Sequence, residues 1–284
     1  MDLAIQVAID ATLITLILAL VAFGLAIIYG LIGVINLGHG AMLTLGAYFT
    51  WYCTAWGVPF VPAVLIAATG VGAAGLVFEH LVIRRFYDRP FETLLLTWAF
   101  FLIVTELIKI LYGTDFKSVS NPIPQAFVIG EYRIPAYRSV VAGLSLAIIG
   151  VTAFVFYRTN VGIRVRALIQ DRDVAALLGL NIALTYKIVF FVGSFMAGLA
   201  GALISPLLSI DPYMGNTFLV RSFFVVLVGG MGQLLSGTLV GAFITGGAET
   251  LFALFSSQAV AQTVVFVIAI LILRFRPSGI MRPK

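Results

Sequence analysis

Charge is scarce in this sequence. Asp, Glu, Lys and Arg make up only 10 % of the 284 residues, against about 25 % in an ordinary soluble domain. So few polar side chains cannot cover a water-facing surface, which excludes a soluble globular fold. Cysteine is nearly absent. The single Cys53 lies inside an apolar run, so no internal disulfide can form and metal sites built on several thiolates are excluded. Histidine is limited to His39 and His80, neither of which has a second His or Cys at ligand spacing. No metal and no other cofactor is expected. The nucleotide-cradling run Gly-x-x-x-x-Gly-Lys does not occur, so any ATP used must be bound by a partner. The first ten residues hold Asp2 and Asp10 but no Lys or Arg. A cleavable signal needs a basic n-region, so the first apolar run reads as a retained span.

Apolar residues fill the gap: they make up 61 % of the chain, and mean hydropathy is +1.11. A helix needs about 20 apolar residues to cross a hydrocarbon core of roughly 30 Å. Clear candidates are Ala11–Ile35, Ala41–Trp56, Val61–Ile83, Thr93–Tyr112, Ser139–Tyr157 and Lys187–Leu208. Three more follow: the short Phe218–Val228, the full-length Gly237–Phe255 and the short Val260–Leu273. The composition therefore predicts an all-α polytopic membrane protein with eight or nine segments, built as a single transmembrane domain over 1–284.

Net charge is +5, which in a soluble protein would suggest nucleic acid. Here the cations sit in short clusters between apolar runs, and no nucleic acid is expected. Arg84, Arg85 and Arg89 follow the third span; Arg158, Arg164, Arg166, Arg172 and Lys187 follow the fifth; Arg274, Arg276, Arg282 and Lys284 follow the last. The positive-inside rule puts these three clusters in the cytoplasm and the N-terminus outside. Residues 113–138, with Pro122, Pro124, Gly130 and Pro135, then form an external loop. An N-terminus outside and a C-terminus inside require an odd number of crossings, so Phe218–Val228 must cross.

Glycine is plentiful, at 28 residues, and much of it is spaced for close helix approach, as in Gly237-x-x-x-Gly241 and Ala197-x-x-x-Gly201. Two denser stretches, Asn36-Leu-Gly-His-Gly40 and Gly229-Gly-Met-Gly-Gln233, disfavour a continuous helix. Broken helices at membrane depth are tolerated where they line a cavity, and transporters use them at substrate sites. Asn36 and His39 therefore either satisfy backbone groups freed at the break or belong to a substrate pathway or gate. Thr97 and Trp98 in the fourth span either pack or line a cavity. Glu106 lies three residues before Lys109, a spacing that pairs them along a helix. Glu79 and His80 lie near Arg84, at the cytoplasmic interface. Glu249 has no cation in its own span and reads as an inward-facing polar group or a subunit contact. Arg221 can snorkel to the interface.

The most informative segment is the cytoplasmic loop 158–187. Asp173 is suited to cap a helix start, Val174–Leu178 gives little more than one helical turn, and Gly179 suits the left-handed position after a helix. A helix this short is not stable alone, so it is either part of a plain surface loop or docks against something. The loop resembles the cytoplasmic coupling loop of ABC importer permeases, and within them the branched-chain amino acid permease family. Arg166, Ala167, Gln170, Asp171, Ala175, Ala176, Gly179 and Asn181 carry the likeness. Val174 stands where the wider importer signature has Glu. Gly33-Val-Ile-Asn-Leu-Gly-His-Gly-Ala41, Gly193-Ser-Phe-Met-Ala-Gly-Leu-Ala-Gly201 and Val228-Gly-Gly-Met-Gly232 resemble other motifs of that family.

The resemblance implies a permease without catalysis of its own, in a bacterial inner membrane. It implies a periplasmic binding protein outside, a second permease subunit (different from this one by preference) and two cytoplasmic ATPases. Arg166, Asp171, Asp173, Ala175, Ala176 and Gly179 would couple to those ATPases. The cargo would be a branched-chain or related amino acid, although Arg89–Trp98 is similar to members assigned to urea and short amides. An ion-coupled secondary transporter using Glu106 or Glu249 is the competing class. An intramembrane enzyme would need a zinc motif or paired aspartates, which the spans do not offer.

Overall fold

The structure, a computed structural model, describes residues 2–129, 132–230, 234–276 and 279–281, with side chains at all of these except 2–6, 128, 129, 132, 133 and 258. Gly130 of the loop expected outside, Met231–Gln233 of the second glycine-rich stretch, and Arg282 and Lys284 of the last basic cluster lie outside the described residues.

Each of the nine apolar segments is a helix, with boundaries within about five residues of those the hydropathy suggests except at the start of the first, which begins at Asp2 rather than Ala11. In chain order they are α1 (Asp2–Ile32), α2 (His39–Ala55), α3 (Phe60–Leu81) and α4 (Pro90–Tyr112), then β1 (Ala126–Ile129) and β2 (Tyr132–Pro135), then α5 (Ala136–Arg158). The loop that follows holds two helices, α6 (Asn160–Gln170) and α7 (Arg172–Leu177), before α8 (Ile182–Ile204), α9 (Met214–Gly229), α10 (Ser236–Ala253) and α11 (Gln258–Phe275). Among the described residues, five stretches are long and apolar enough to cross a membrane: Val7–Ile32, Phe60–Arg85, Pro90–Tyr112, Ala136–Arg158 and Ile182–Ile204. Met214–Gly229 and Ala259–Phe275 are shorter apolar helices. Residues 113–138 contain an antiparallel hairpin that pairs Phe127 with Ile134 and Ala126 with Pro135.

Local sequence explains the ends. Pro90 opens α4, where its missing N–H is not needed, and Gly113 (φ 78) closes it. The outward faces are apolar rather than charged. Leu102, Ile103, Leu107 and Ile110 stand exposed along α4, and Leu144, Leu146, Val151 and Phe154 along α5. In water such stripes would be aggregation sites; against acyl chains they are the ordinary surface of a spanning helix.

The chain forms two compact units, and α1, α5 and α9 each contribute to both. One unit comprises residues 24–120 and 150–219. Its core packs Ile28, Met42, Val71, Phe78, Ile83, Phe190 and Ala197. There α2 and α8 meet backbone to backbone. A Cβ on Gly46 would run into the Gly198 carbonyl, and one on Gly201 into the Leu43 carbonyl. Close approach of this kind gains dispersion contact that lipid tails cannot match.

The other unit comprises residues 1–23, 121–149 and 220–284. Its α9 and α10 approach equally closely, Gly229 against Gly237 and Gly241 against Val225, so both small residues of the Gly237-x-x-x-Gly241 pattern face α9. Phe224 stacks on Phe266 of α11 at 4.9 Å. The last carbonyls of α9 accept from a distant stretch of chain: Ile280 N donates to Val228 O (3.0 Å) and Met281 N to Gly229 O (3.1 Å).

Candidate functional site

The first element of interest is the interruption between α1 and α2. Gly33 (φ 77) ends α1, residues 33–36 have no regular structure, and α2 begins at His39. Such a break frees backbone groups, and Thr97 of α4 takes up one of them, Leu37 N. Its Oγ1 accepts from Leu37 N (3.1 Å) and donates to Leu94 O (2.9 Å), with Ile35 O at 3.4 Å. Asn36 and His39 are both fully buried at the break. Neither amide atom of Asn36 has a hydrogen-bond partner among the described residues, although burying an unpaired amide costs roughly 1–3 kcal/mol on mutational scales. His39 packs beside α1, its Cε1 2.9 Å from where a Cβ on Gly24 would sit. Asn36, His39 and Thr97 thus come together. Trp98 does not join them: it is 38 % exposed and stacks on Phe101 at 5.2 Å.

The second element is the loop after α5. It is more ordered than a loop with one short helix. Thr159 caps α6 by accepting from Gly162 N (3.4 Å). Arg166 folds back on α5, donating to Phe156 O and lying over the Phe156 and Tyr157 rings at 5.5 and 5.8 Å. The start of α7 corrects the expected cap. Asp171, not Asp173, is the N-cap, and its Oδ1 accepts from Asp173 N and Val174 N at 3.0 Å each. Asp173 sits two residues farther along, inside the first turn. The other end is as expected. Gly179 has φ +82. Gly179 N donates to Ala176 O (2.9 Å) and Leu180 N to Ala175 O (3.1 Å), the paired bonds of a left-handed helix stop.

This six-residue helix is held by packing. Ala175 is 1 % exposed and sits with Leu168 of α6 and Tyr186 of α8, against Ile32, Tyr87, Leu180 and Ile182. Ala176 faces outward. Leu177 and Leu178 are 87 % and 74 % exposed, so two apolar side chains stand out at the end of a basic loop. Arg172 pairs with Asp88 at 2.8 Å and lies over the Tyr186 ring at 5.6 Å. Tyr186 meets Tyr87 edge-on at 4.7 Å. The Tyr87 hydroxyl donates to Glu79 Oε1 at 2.7 Å. Burial, and then that bond, hold the Tyr87 hydroxyl above the usual phenol range. Glu79 itself is 1 % exposed, so it is a buried partner of Tyr87 rather than a group displayed at the interface.

The remaining carboxylates differ from one another. Glu106 and Lys109 pair at 2.7 Å, as their spacing predicts. Arg221 does not snorkel. It forms an ion pair with Glu249 at 3.0 Å, joining α9 to α10, with the Glu249 side chain 7 % exposed. Two opposite charges, each without a partner in its own apolar helix, were the available signal for this pair. Tyr87, Asp88 and Tyr186 gave no such signal, because aromatic residues near a membrane interface are ordinary.

Helices clothed in apolar side chains, a broken pair inside and ordered helices in a basic loop define a multi-pass α-helical membrane protein. The family model described as branched-chain amino acid transport system / permease component matches residues 7–273. The chain belongs to that family, a family of ABC transporter permeases. It is 26 % identical to the high-affinity branched-chain amino acid transport system permease protein LivH of Salmonella typhimurium over 94 % of this chain and 92 % of that one. BraD of Pseudomonas aeruginosa, with the same description, is 26 % identical with the same coverage. The fructose import permease protein FrcC of Rhizobium meliloti is 27 % identical over 75 % of this chain and 62 % of its own. Among solved structures, a chain of PsaBC from Streptococcus pneumoniae, in complex with Fab, shares the fold with a TM-score of 0.50 at 12 % identity, covering 93 % of this chain and 90 % of that one.

Proposed function

We propose that this chain is one transmembrane subunit of an ATP-driven importer, with residues 1–284 acting as a single permease domain. Its α7 is the helix that receives a cytoplasmic ATPase. The observation that carries the reading is the geometry of α7. It is six residues long, too short to persist alone, yet it is capped at both ends and anchored by Ala175, while Leu177 and Leu178 point away from the fold. A partner groove that takes up those two side chains would gain roughly 1.5–3 kcal/mol from each. Arg166 and Asp171 hold the platform, Asp173 favours the helix start through the dipole, and Gly179 sets where it stops.

In this reading all nine apolar helices cross the bacterial inner membrane, with the N-terminus outside and the C-terminus in the cytoplasm. ATP binding and hydrolysis occur on two ATPase subunits, and a second, non-identical permease subunit completes the pathway. A periplasmic binding protein delivers the cargo. The break at residues 33–38, with Asn36, His39 and Thr97, is the part of the pathway that opens and closes. The unpaired Asn36 amide supports this, because a polar group buried without a partner in one state has reason to find one in another. Trp98 faces away from the break and is assigned a contact with lipid or a neighbouring subunit. Glu249 acts with Arg221 rather than by itself. The cargo is a branched-chain amino acid, in line with the descriptions of LivH and BraD.

The test is purification of the tagged chain from its host, followed by ATPase assay and radiolabelled uptake. ATPase activity should accompany the intact chain and be lost with Leu177→Asp and Leu178→Asp together, while the variant still inserts. Leucine uptake competed by isoleucine and valine supports the cargo assignment. Uptake competed by urea instead would move the assignment to small amides. A chain that inserts, brings down no ATPase and takes up leucine on a proton or sodium gradient would overturn the reading.

A further inference from the structure

Seven residues link α7 to the interruption between α1 and α2, and all of them lie in the same compact unit. Arg172, the first residue of α7, pairs with Asp88 and covers the Tyr186 ring. Tyr186 meets Tyr87 edge-on, and Tyr87 donates to Glu79 of α3. Ile32, the last residue of α1, packs both against the cluster around Ala175 of α7 and against the unit's main core; Tyr87 does the same. The exposed helix and the residue that precedes the break thus share packed neighbours. Close-packed side chains cannot absorb a displacement by compression, so a shift of α7 has to move Tyr87 and Ile32 as well.

Glu79 makes this path more than packing. Its side chain is 1 % exposed. Oε1 accepts from Tyr87, while Oε2 has no hydrogen-bond partner among the described residues. A buried carboxylate with half of its acceptor capacity unfilled is costly, and packing alone would be served better by a methionine of similar volume. The carboxylate is therefore better satisfied in a second arrangement, and a group satisfied differently in two arrangements is what a switch requires. We infer that Tyr87 and Glu79 are the positioning residues through which movement of α7 reaches the break at residues 33–38. The inference rests on the proposed role of α7 and adds which contact transmits from it.

The experiment uses the whole importer complex with a reporter cysteine at the break, Leu37→Cys with Cys53→Ala. Maleimide labelling of that cysteine is timed with and without ATP plus vanadate, alongside ATP hydrolysis. The parent should label at different rates in the two conditions. Tyr87→Phe should shrink that difference at least about fivefold, the lower end of typical coupling between sites, with ATP hydrolysis and ATPase co-purification retained. Glu79→Gln, which keeps an acceptor for Tyr87, should lose less. Arg172→Gln lies on the exposed end of the path and carries no burial penalty, so it keeps the test valid if Tyr87→Phe fails to fold; it should act in the same direction. Unchanged nucleotide dependence in Tyr87→Phe, or in Arg172→Gln if Tyr87→Phe does not fold, overturns the relay. So does a parent whose labelling ignores nucleotide. Loss of hydrolysis and labelling response in equal measure would mark a general structural role and also overturn it. The role of α7 is judged separately, by whether Leu177→Asp with Leu178→Asp strips the ATPase.

Discussion

Replacing Asp171 by alanine should loosen α7 by an amount that can be worked out beforehand. The Asp171 carboxylate accepts two backbone N–H bonds, from Asp173 and Val174, each 3.0 Å long. The site is exposed, so water takes over the freed donors and no buried-group penalty is added. Loss of an N-cap of this kind costs about 1 kcal/mol, within a range of roughly 0.5–2. That corresponds to about a fivefold fall in the ratio of folded to unfolded α7. Hydrogen exchange reads this ratio directly, because protection scales with the free energy of local opening. The amides to watch are Ala175 N, bonded to Asp171 O at 3.0 Å, and Leu178 N, bonded to Val174 O at 3.0 Å. Both should exchange about fivefold faster in Asp171→Ala, by the same capping term.

Asp171→Asn keeps the acceptor oxygen and should restore most of the protection. Asp173→Ala is the informative control. It removes a first-turn carboxylate worth roughly 0.3–1 kcal/mol at low ionic strength, a contribution that salt screens. At high salt its effect should fade while the effect of Asp171→Ala persists. Equal effects of the two alanines at high salt, or no change in either amide with Asp171→Ala, would refute the capping argument.

Other expectations follow from the packing. Gly201→Val should lower the melting temperature of the purified chain or prevent folding, since overpacking costs typically about 1–3 kcal/mol and the Leu43 carbonyl leaves no room even for a Cβ. Glu249→Leu alone should sharply reduce the yield of folded protein, because breaking one side of a buried pair costs roughly 3–5 kcal/mol in soluble proteins, whereas Arg221→Leu with Glu249→Leu should recover much of it. Fluorescence size-exclusion profiles measure both. Gly179→Ala should shift the exchange of Leu180 N by about 1–2 kcal/mol through its left-handed backbone, and Gly179→Asn by less, since asparagine tolerates that conformation better.

Much of this fold is legible in the sequence because the bilayer imposes a simple rule. Backbone groups at depth cannot be left to water, so apolar runs mark the helices α1 to α5 and α8 to α11, although only five stretches among the described residues are long and apolar enough to cross. The positions of Gly33, Gly113 and Gly179 mark stops for the same steric reason wherever they occur. Partnerships between distant residues are what sequence does not reveal. Thr97 is an ordinary threonine until α4 brings it to the backbone of Ile35 and Leu37. Asp171 and Asp173 are both plausible caps, and only the phase of the helix separates them by two residues. The amphipathic α6 was hidden by its short length and by the arginines that make it look like a solvated loop. Tyr87 and Tyr186 lie far apart in the sequence; their contact exists only once α3, α4 and α8 are assembled.

The end of α9 has a consequence for how this protein is made. Its last two carbonyls are bonded by Ile280 and Met281, which are translated only after α10 and α11. Until the ribosome has supplied two more helices, the terminal acceptors of α9 have to be hydrated or bonded elsewhere. Assembly of this unit therefore closes late. A nascent chain stalled or clipped between α11 and residue 280 would leave the last two carbonyls of α9 without these two donors.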